Sequence, residues 1–372
     1  MTRTVKGNFH FVKSMLNFVQ SPANAAFPNQ RLCAARHWLT LVALVDLRSH
    51  MARLVECVPN FSEGRDLAVI DAIAARVADV AGIHLLDRTS DRDHNRSVLT
   101  FAGDQAAVGV AMEGAVEEAL ARIDMRTHEG QHPRVGAVDV IPFVPLGETT
   151  MDECVAFARD FGARVAQRFE LPVYLYARAA QRPEREVLAD IRRPQFEGLR
   201  ELISTAEYTP DFGPVRLHPT GGAVVIGARP FLIAYNINLD SQDIDLAKEI
   251  AKRVRERTGG LPRVQALGLF MDDLNCAQVS MNLLDFSITP MWRVWEAVRD
   301  AAAERGVGLR ESELIGLAPT RALTDVADHI GIDAARGDEE RITRAAEWLR
   351  IRDFDPSMAL EIRLAEAERA GL

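Results

Sequence analysis

Cysteine is scarce: Cys33, Cys57, Cys154 and Cys276 are the four in 372 residues, far apart and at none of the spacings of zinc clusters or disulfide frameworks. That excludes a disulfide-stapled secreted scaffold and fits a reducing compartment, so a cytoplasmic location is expected. Long apolar runs are also missing. The nearest candidate, Trp38–Val45, falls well short of the ~20 residues a membrane helix needs, so no membrane partner is expected. The first fifty residues lack the ordered charged, apolar and cleavage regions of a signal peptide. Positive charge is in deficit, with a net charge of −9. Six bases and one acid fall in residues 1–50, so the rest of the chain carries about −14, which argues against nucleic acid as a general partner. An anionic substrate would need a local basic pocket.

The chain is 48% hydrophobic and 26% charged, the balance of a globular protein, and its length suits two domains. Residues 1–50 show no periodic pattern. They are read as an extension outside the fold, either disordered or an upstream misreading of the start at Met51. A chain beginning at Met51 is expected to keep its fold and activity.

From Arg53 short apolar strands alternate with amphipathic helices. Leu54–Val58 reads as a strand, and Ile70, Ile73, Val77 and Val80 mark one face of a helix. Strands at Ile83–Leu86 and Ser97–Phe101, a helix at Asp104–Ile123 and a strand at Ala137–Val144 complete the order βαββαβ. A helix at Met151–Phe169 and a strand at Val173–Tyr176 extend it. The order repeats from 223: strands at Ala223–Ile226 and Phe231–Asn238, a helix bearing Ile244, Ala247, Ala251 and Val254, strands at Val264–Phe270 and Ala277–Phe286, a helix at Trp292–Arg305 and a strand at Ser312–Leu317. Tyr208–Gly222 is rich in proline and glycine and reads as the linker between the halves. Solvated helices are expected at Thr320–Ile330 and Arg341–Arg350, followed by a charged tail. The expected fold is therefore α+β, with two ferredoxin-like (βαββαβ) subdomains and a ligand cleft between them. Its parts are the extension 1–50, a first subdomain at 51–222, a second at 223–335 and a helical tail at 336–372.

His128-Glu129-Gly130-Gln131-His132 matches the zinc-protease pattern H-E-x-x-H, which requires both histidines on one helix. Gly130 weakens a helix, and Pro133 pushes His132 into extended geometry, so a loop and no metal site are expected. Read as a loop, Arg126–Phe143 (RTHEGQHPRVGAVDVIPF) resembles the signature of the glutamate formimidoyltransferase family, the formiminotransferase domain of the formiminotransferase-cyclodeaminases. So do LVECVPNFSEG (54–64), DHNRSVLTFAG (93–103), LPVYLYARAA (171–180), PDFGP (210–214), GARPFLIAYNINL (227–239) and AQVSMNLLDF (277–286). The resemblance is collinear from Met51 to beyond Leu317.

It implies transfer of a formimino group from N-formimino-L-glutamate to N5 of tetrahydrofolate in histidine degradation. Tetrahydrofolate would be a co-substrate, no metal would take part, and the protein would be a homodimer. The family's catalytic histidine falls on His132. One group with a pKa near 7 can take the proton that N5 loses and return one to the departing nitrogen. Arg134, Arg229 and Arg96 lie inside matched blocks and are the candidates for the substrate carboxylates, since arginine's fork suits them. The family's folate-binding segment maps onto Gly213, Pro214, Val215, Arg216, Leu217, His218, Pro219, Thr220, Gly221 and Gly222. Its glycines would allow backbone approach to a flat pterin. Asp87, Asp91 and Asp93 depart from the animal pattern and are read either as acids near the pterin or as a solvated turn. Formyl transfer and a non-catalytic folate-binding protein are the competing readings. About fifty residues follow Leu317, fewer than the ~100 of a second catalytic domain, so ring closure of the product is not expected of this chain.

Overall fold

The computed structural model describes residues 53–370; the extension 1–50, with Cys33 and Trp38–Val45, lies outside them. The first half consists of β1 (Arg53–Cys57), β2 (Asn60–Phe61), α1 (Leu67–Ala78), β3 (His84–Asp91), β4 (Arg96–Gly103), α2 (Gln105–Arg122), β5 (Val138–Gly147), α3 (Met151–Phe169), β6 (Val173–Ala177), α4 (Leu188–Arg192), α5 (Gln195–Leu202) and β7 (Val224–Ala228). Strands β3, β4, β1 and β5 lie side by side, all antiparallel, which is the order of a ferredoxin-like sheet. The short β2 wedges between β4 and β5, and β7 and β6 extend the sheet in parallel beyond β5.

The second half repeats the plan with β8 (Ile233–Leu239), α6 (Ile244–Val254), β9 (Val264–Met271), β10 (Cys276–Leu283), α7 (Met291–Ala303) and β11 (Leu309–Ile315). Its four antiparallel strands run β11-β8-β10-β9. Two ferredoxin-like sheets are therefore present, as the element order implied. One assignment needs correction. The strand expected at Ala223–Ile226 as the first of the second half forms at Val224–Ala228, and it pairs with β5 and β6 in the first sheet. A strand whose five residues are all buried carries no sign of which sheet it joins. Consequently the irregular stretch 208–222 is an excursion of the first half. The crossing between sheets falls at 229–232, past the expected boundary at 222/223.

Each half has its own apolar core. Val55, Ile73, Leu99, Val116, Ile141, Phe161 and Val165 pack between the first sheet and α1–α3. Tyr235, Ile237, Ile250, Val279, Val298 and Leu323 anchor the second. The C-terminal helices α8 (Thr320–His329), α9 (Asp338–Trp348) and α10 (Leu360–Ala370) are not merely solvated. Val326, Ile342, Ala345 and Leu349 are buried in the second core, and α10 lies against β3. Among the described residues no helix is long and apolar enough to cross a membrane.

Local signals set the ends of α3. Thr150 Oγ1 accepts from the Glu153 N–H at 3.2 Å, and Glu153 accepts from the Thr150 N–H at 2.8 Å, a reciprocal cap. Glu170 closes the helix in the left-handed region. Thr150→Ala is expected to cost about 1 kcal/mol, read as a small fall in denaturation midpoint at unchanged slope. A midpoint equal to the parent's would show that the cap contributes nothing.

Candidate active site

The segment Arg126–Gly136 forms no helix. His128 and His132 therefore do not stand one turn apart on a helix face, the arrangement the zinc-protease pattern requires. Among the described residues no cluster of histidine, cysteine and acidic side chains is arranged to hold a metal ion.

Three segments meet here: Ser62–Gly64 after β2, the β3–β4 turn at Asp91–Arg96, and the loop 128–134. Asn95 joins them. Its backbone takes the left-handed region at φ 47°, which asparagine tolerates better than most residues. Its Oδ1 accepts from the Gly64 N–H at 2.9 Å, and its Nδ2 donates to the Glu129 carbonyl at 2.9 Å. The approach is close enough to demand glycine on both sides. A Cβ on Gly64 would lie 2.2 Å from the Asp91 carbonyl oxygen, and one on Gly130 2.3 Å from that of His94.

The hydrogen bonds of His128 fix its tautomer. Arg134 Nε donates to Nδ1 at 3.1 Å, so the proton sits on Nε2, which donates to the Asn95 carbonyl at 3.0 Å. Burial and the Arg134 charge lower its pKa, which favours this neutral form. Arg134, expected to bind substrate, is 6% exposed, and all five of its N–H donors face protein acceptors. Besides His128 Nδ1 these are the His128 carbonyl, Gln195 and both carboxylate oxygens of Glu197, the last at 2.6 and 2.8 Å. It ties the loop to α5 and offers no free fork.

His132 is half-buried in a shell that includes Phe61, Ser62, His94, Arg96 and Asp139, around a cavity of about 10 Å³. The His94 ring lies edge-on at 6.3 Å. His94 is itself paired with Asp91 at 2.8 Å. Despite slight desolvation, the backbone N–H and ring of His94, with the Asp93 N–H, hold Asp91 below the usual carboxylate range. Asp91 thus organises a turn, and Asp91 and Asp93 are exposed there. A pKa near 7 was expected for His132. Burial first, then the positive charges of Arg96 and Arg192 and the nearby His94, push it down to about 3. At neutral pH the unliganded imidazole is therefore a neutral base.

Arg96, at the start of β4, donates to Asn60 Oδ1. Burial and the neighbouring Arg192 lower its pKa to about 10. The remaining candidates lie elsewhere. Arg229 does not line the cavity. It follows β7 at the crossing between sheets, donating to the Pro230 carbonyl at 3.0 Å and lying near buried Glu56 and Tyr176. Within 213–222, Arg216 pairs with Glu170 at 3.0 Å and His218 Nδ1 accepts from the Gly221 N–H at 2.9 Å. Its glycines meet the protein itself: a Cβ on Gly213 would lie 2.7 Å from the Leu171 carbonyl oxygen, and one on Gly221 2.1 Å from Leu120. Asp139, Arg192, Asn95 and Glu197 escaped the sequence reading. Only Asp139 carried a signal, as a charge inside the apolar run AVDVIPF, where a buried carboxylate requires a partner.

Comparison with known proteins agrees with this division. Residues 54–229 match the description "Formiminotransferase domain, N-terminal subdomain", and residues 234–354 match "Formiminotransferase domain". The break between the two falls at the crossing between the sheets. A "Glutamate formimidoyltransferase" of Thermoplasma acidophilum is 47% identical over 79% of this chain and 98% of its own length. One of Streptococcus pyogenes serotype M1 is 44% identical over 75% and 93%. A "Formimidoyltransferase-cyclodeaminase" of Rattus norvegicus is 44% identical over 81% of this chain and 56% of its own length.

Proposed function

The chain belongs to the formiminotransferase family, and from that premise we propose that it moves the formimino group of N-formimino-L-glutamate to N5 of tetrahydrofolate, a step of histidine degradation. Tetrahydrofolate is a second substrate, consumed stoichiometrically. N5 attacks the amidine carbon and a tetrahedral adduct forms. The adduct collapses when the carbon–nitrogen bond to glutamate breaks. N5 must shed its proton, and the departing glutamate nitrogen must gain one. His132 performs both transfers in this reading.

One observation supports that role above others: His132 is a neutral imidazole held beside guanidinium groups by a loop with little freedom. The Asn95–His128–Arg134–Glu197 chain fixes the loop, so Arg134 serves as a positioning residue. Segment 213–222 contributes to folate binding in this reading through its edge and side chains, since its glycines are spent on internal contacts. A cytoplasmic homodimer belongs to the same proposal. Leu267 and Leu269, 61% and 40% exposed on β9, offer apolar surface to a second copy.

The test is direct. The protein is mixed with formiminoglutamate and tetrahydrofolate, quenched, and the folate identified by mass spectrometry. The expected outcome is 5-formiminotetrahydrofolate in step with free glutamate. No adduct above the enzyme-free control would end the reading.

A further inference from the structure

Arg192 ends α4, and its guanidinium pairs with Asp139, a carboxylate 2% exposed on β5. The other oxygen of Asp139 accepts from the Val135 N–H at 2.8 Å. The Arg192 charge opposes that of Arg96, and Asp139, the buried carboxylate paired with Arg192, also acts on Arg96. The Nε groups of both arginines are buried without a partner. Two guanidiniums thus share one buried carboxylate beside a neutral His132, and Asp91, the other acid acting on Arg96, is exposed and already paired with His94. A buried, unmatched charge is costly unless an anion completes the set. The nearby cavity of about 10 Å³ is lined by Arg96, His132 and Asp139, while Arg192 reaches it only through its pairing with Asp139; it has the volume of one water or one carboxylate oxygen.

We propose that Arg192 and Arg96 together form the subsite for the α-carboxylate of the glutamate-derived donor. This rests on the reading of the reaction given above. In formiminoglutamate the nitrogen that departs is bonded to the α-carbon, which also bears the α-carboxylate. A histidine serving that nitrogen therefore has the α-carboxylate at its side, whereas the γ-carboxylate lies two methylenes further away. Asp139 orients the Arg192 fork and leaves Nε free. An anion bound there also cancels part of the positive field that, after burial, holds the His132 imidazole down.

The experiment uses the full chain. Arg192→Gln alone would strand Asp139 in the interior, so it is made together with Asp139→Asn, which preserves an acceptor for the Val135 N–H. A thermal melt confirms folding. The double variant should raise KM for formiminoglutamate at least ~10-fold, the scale of a lost charge-assisted hydrogen bond, with KM for tetrahydrofolate changed less than about threefold. The donor with an α-carboxamide in place of the carboxylate should be as poor with the parent protein as formiminoglutamate is with the variant, and no poorer with the variant. An unchanged KM for formiminoglutamate, or equal discrimination between the two donors by parent and variant, overturns the subsite while leaving the reaction intact. L-glutamate binding by calorimetry separates the two ideas from the other side. Binding that depends on Arg192, in a protein that makes no formimino adduct, keeps the subsite and discards the reaction.

Discussion

Replacing His132 by asparagine is expected to lower kcat by at least ~10²-fold while folding and tetrahydrofolate binding stay near parental values. Asparagine keeps a hydrogen-bonding side chain of similar reach but cannot exchange a proton at neutral pH. The loss should fall on kcat because the side chain acts while bonds are changing. In the free protein burial and the adjacent arginines hold the imidazole at about 3. The base is already unprotonated throughout the neutral range, so kcat/KM should show no acid limb near 6.5 from this group. A limb near 6.5 that vanishes in His132→Asn would mean that the environment does not depress the imidazole. A variant retaining most of its turnover would remove His132 from the reaction.

The elements were readable where local chemistry specifies them and obscure where only tertiary pairing does. Helix α3 forms over the expected range Met151–Phe169, because the Thr150–Glu153 cap fixes its start locally and amphipathic spacing carries it to Phe169. Strand β3 runs to Asp91, five residues beyond Leu86, where the sequence reading ended it. Its second half, Arg88–Asp91, is exposed and polar, so no apolar alternation marks it. Strand β7 was seen as a strand but placed in the wrong sheet, since its parallel insertion between β5 and β6 is a tertiary choice.

The site divides in the same way. The loop around His132 could be read because Pro133 forbids the helix that H-E-x-x-H demands. Arg134 stood out as the arginine nearest the candidate histidine, yet sequence cannot tell where five donors point, and all five point inward. Arg192 lies in a helix of five residues, too short for a periodic signature, and only the stranded charge of Asp139 implied that such a partner existed.

Glu56→Gln is expected to make the folded protein markedly more stable at pH 8.5 while changing it little at pH 4.5. Glu56 sits on β1 opposite Val144 of β5, and Arg229 follows the next strand, β7, bonded to the neighbouring Phe143 carbonyl at 3.1 Å. The Glu56 side chain is 1% exposed, and its Oε2 has no partner. Burial raises its pKa from 4.5 to about 8. The Arg229 charge opposes the rise and the Glu361 charge adds a smaller amount to it. The folded state therefore holds this proton more tightly than the unfolded chain does. Between about 4.5 and about 8 the folded state binds more protons, so stability contributed by the protonated carboxyl is present below 4.5 and is lost as pH climbs to about 8. A shift of this size corresponds to a difference on the order of a few kcal/mol between the ends of the window. Glutamine mimics the protonated acid in shape and neutrality and does not titrate. Cys57, Tyr176, Arg229 and Glu361 are common to both proteins, so the difference between their stability curves isolates Glu56. Urea denaturation at pH 4.5, 6.5 and 8.5 should show the gap opening with pH. Parallel curves would mean that the Glu56 carboxyl titrates normally, and that water or a rearranged Arg229 reaches an oxygen the fold leaves without a partner.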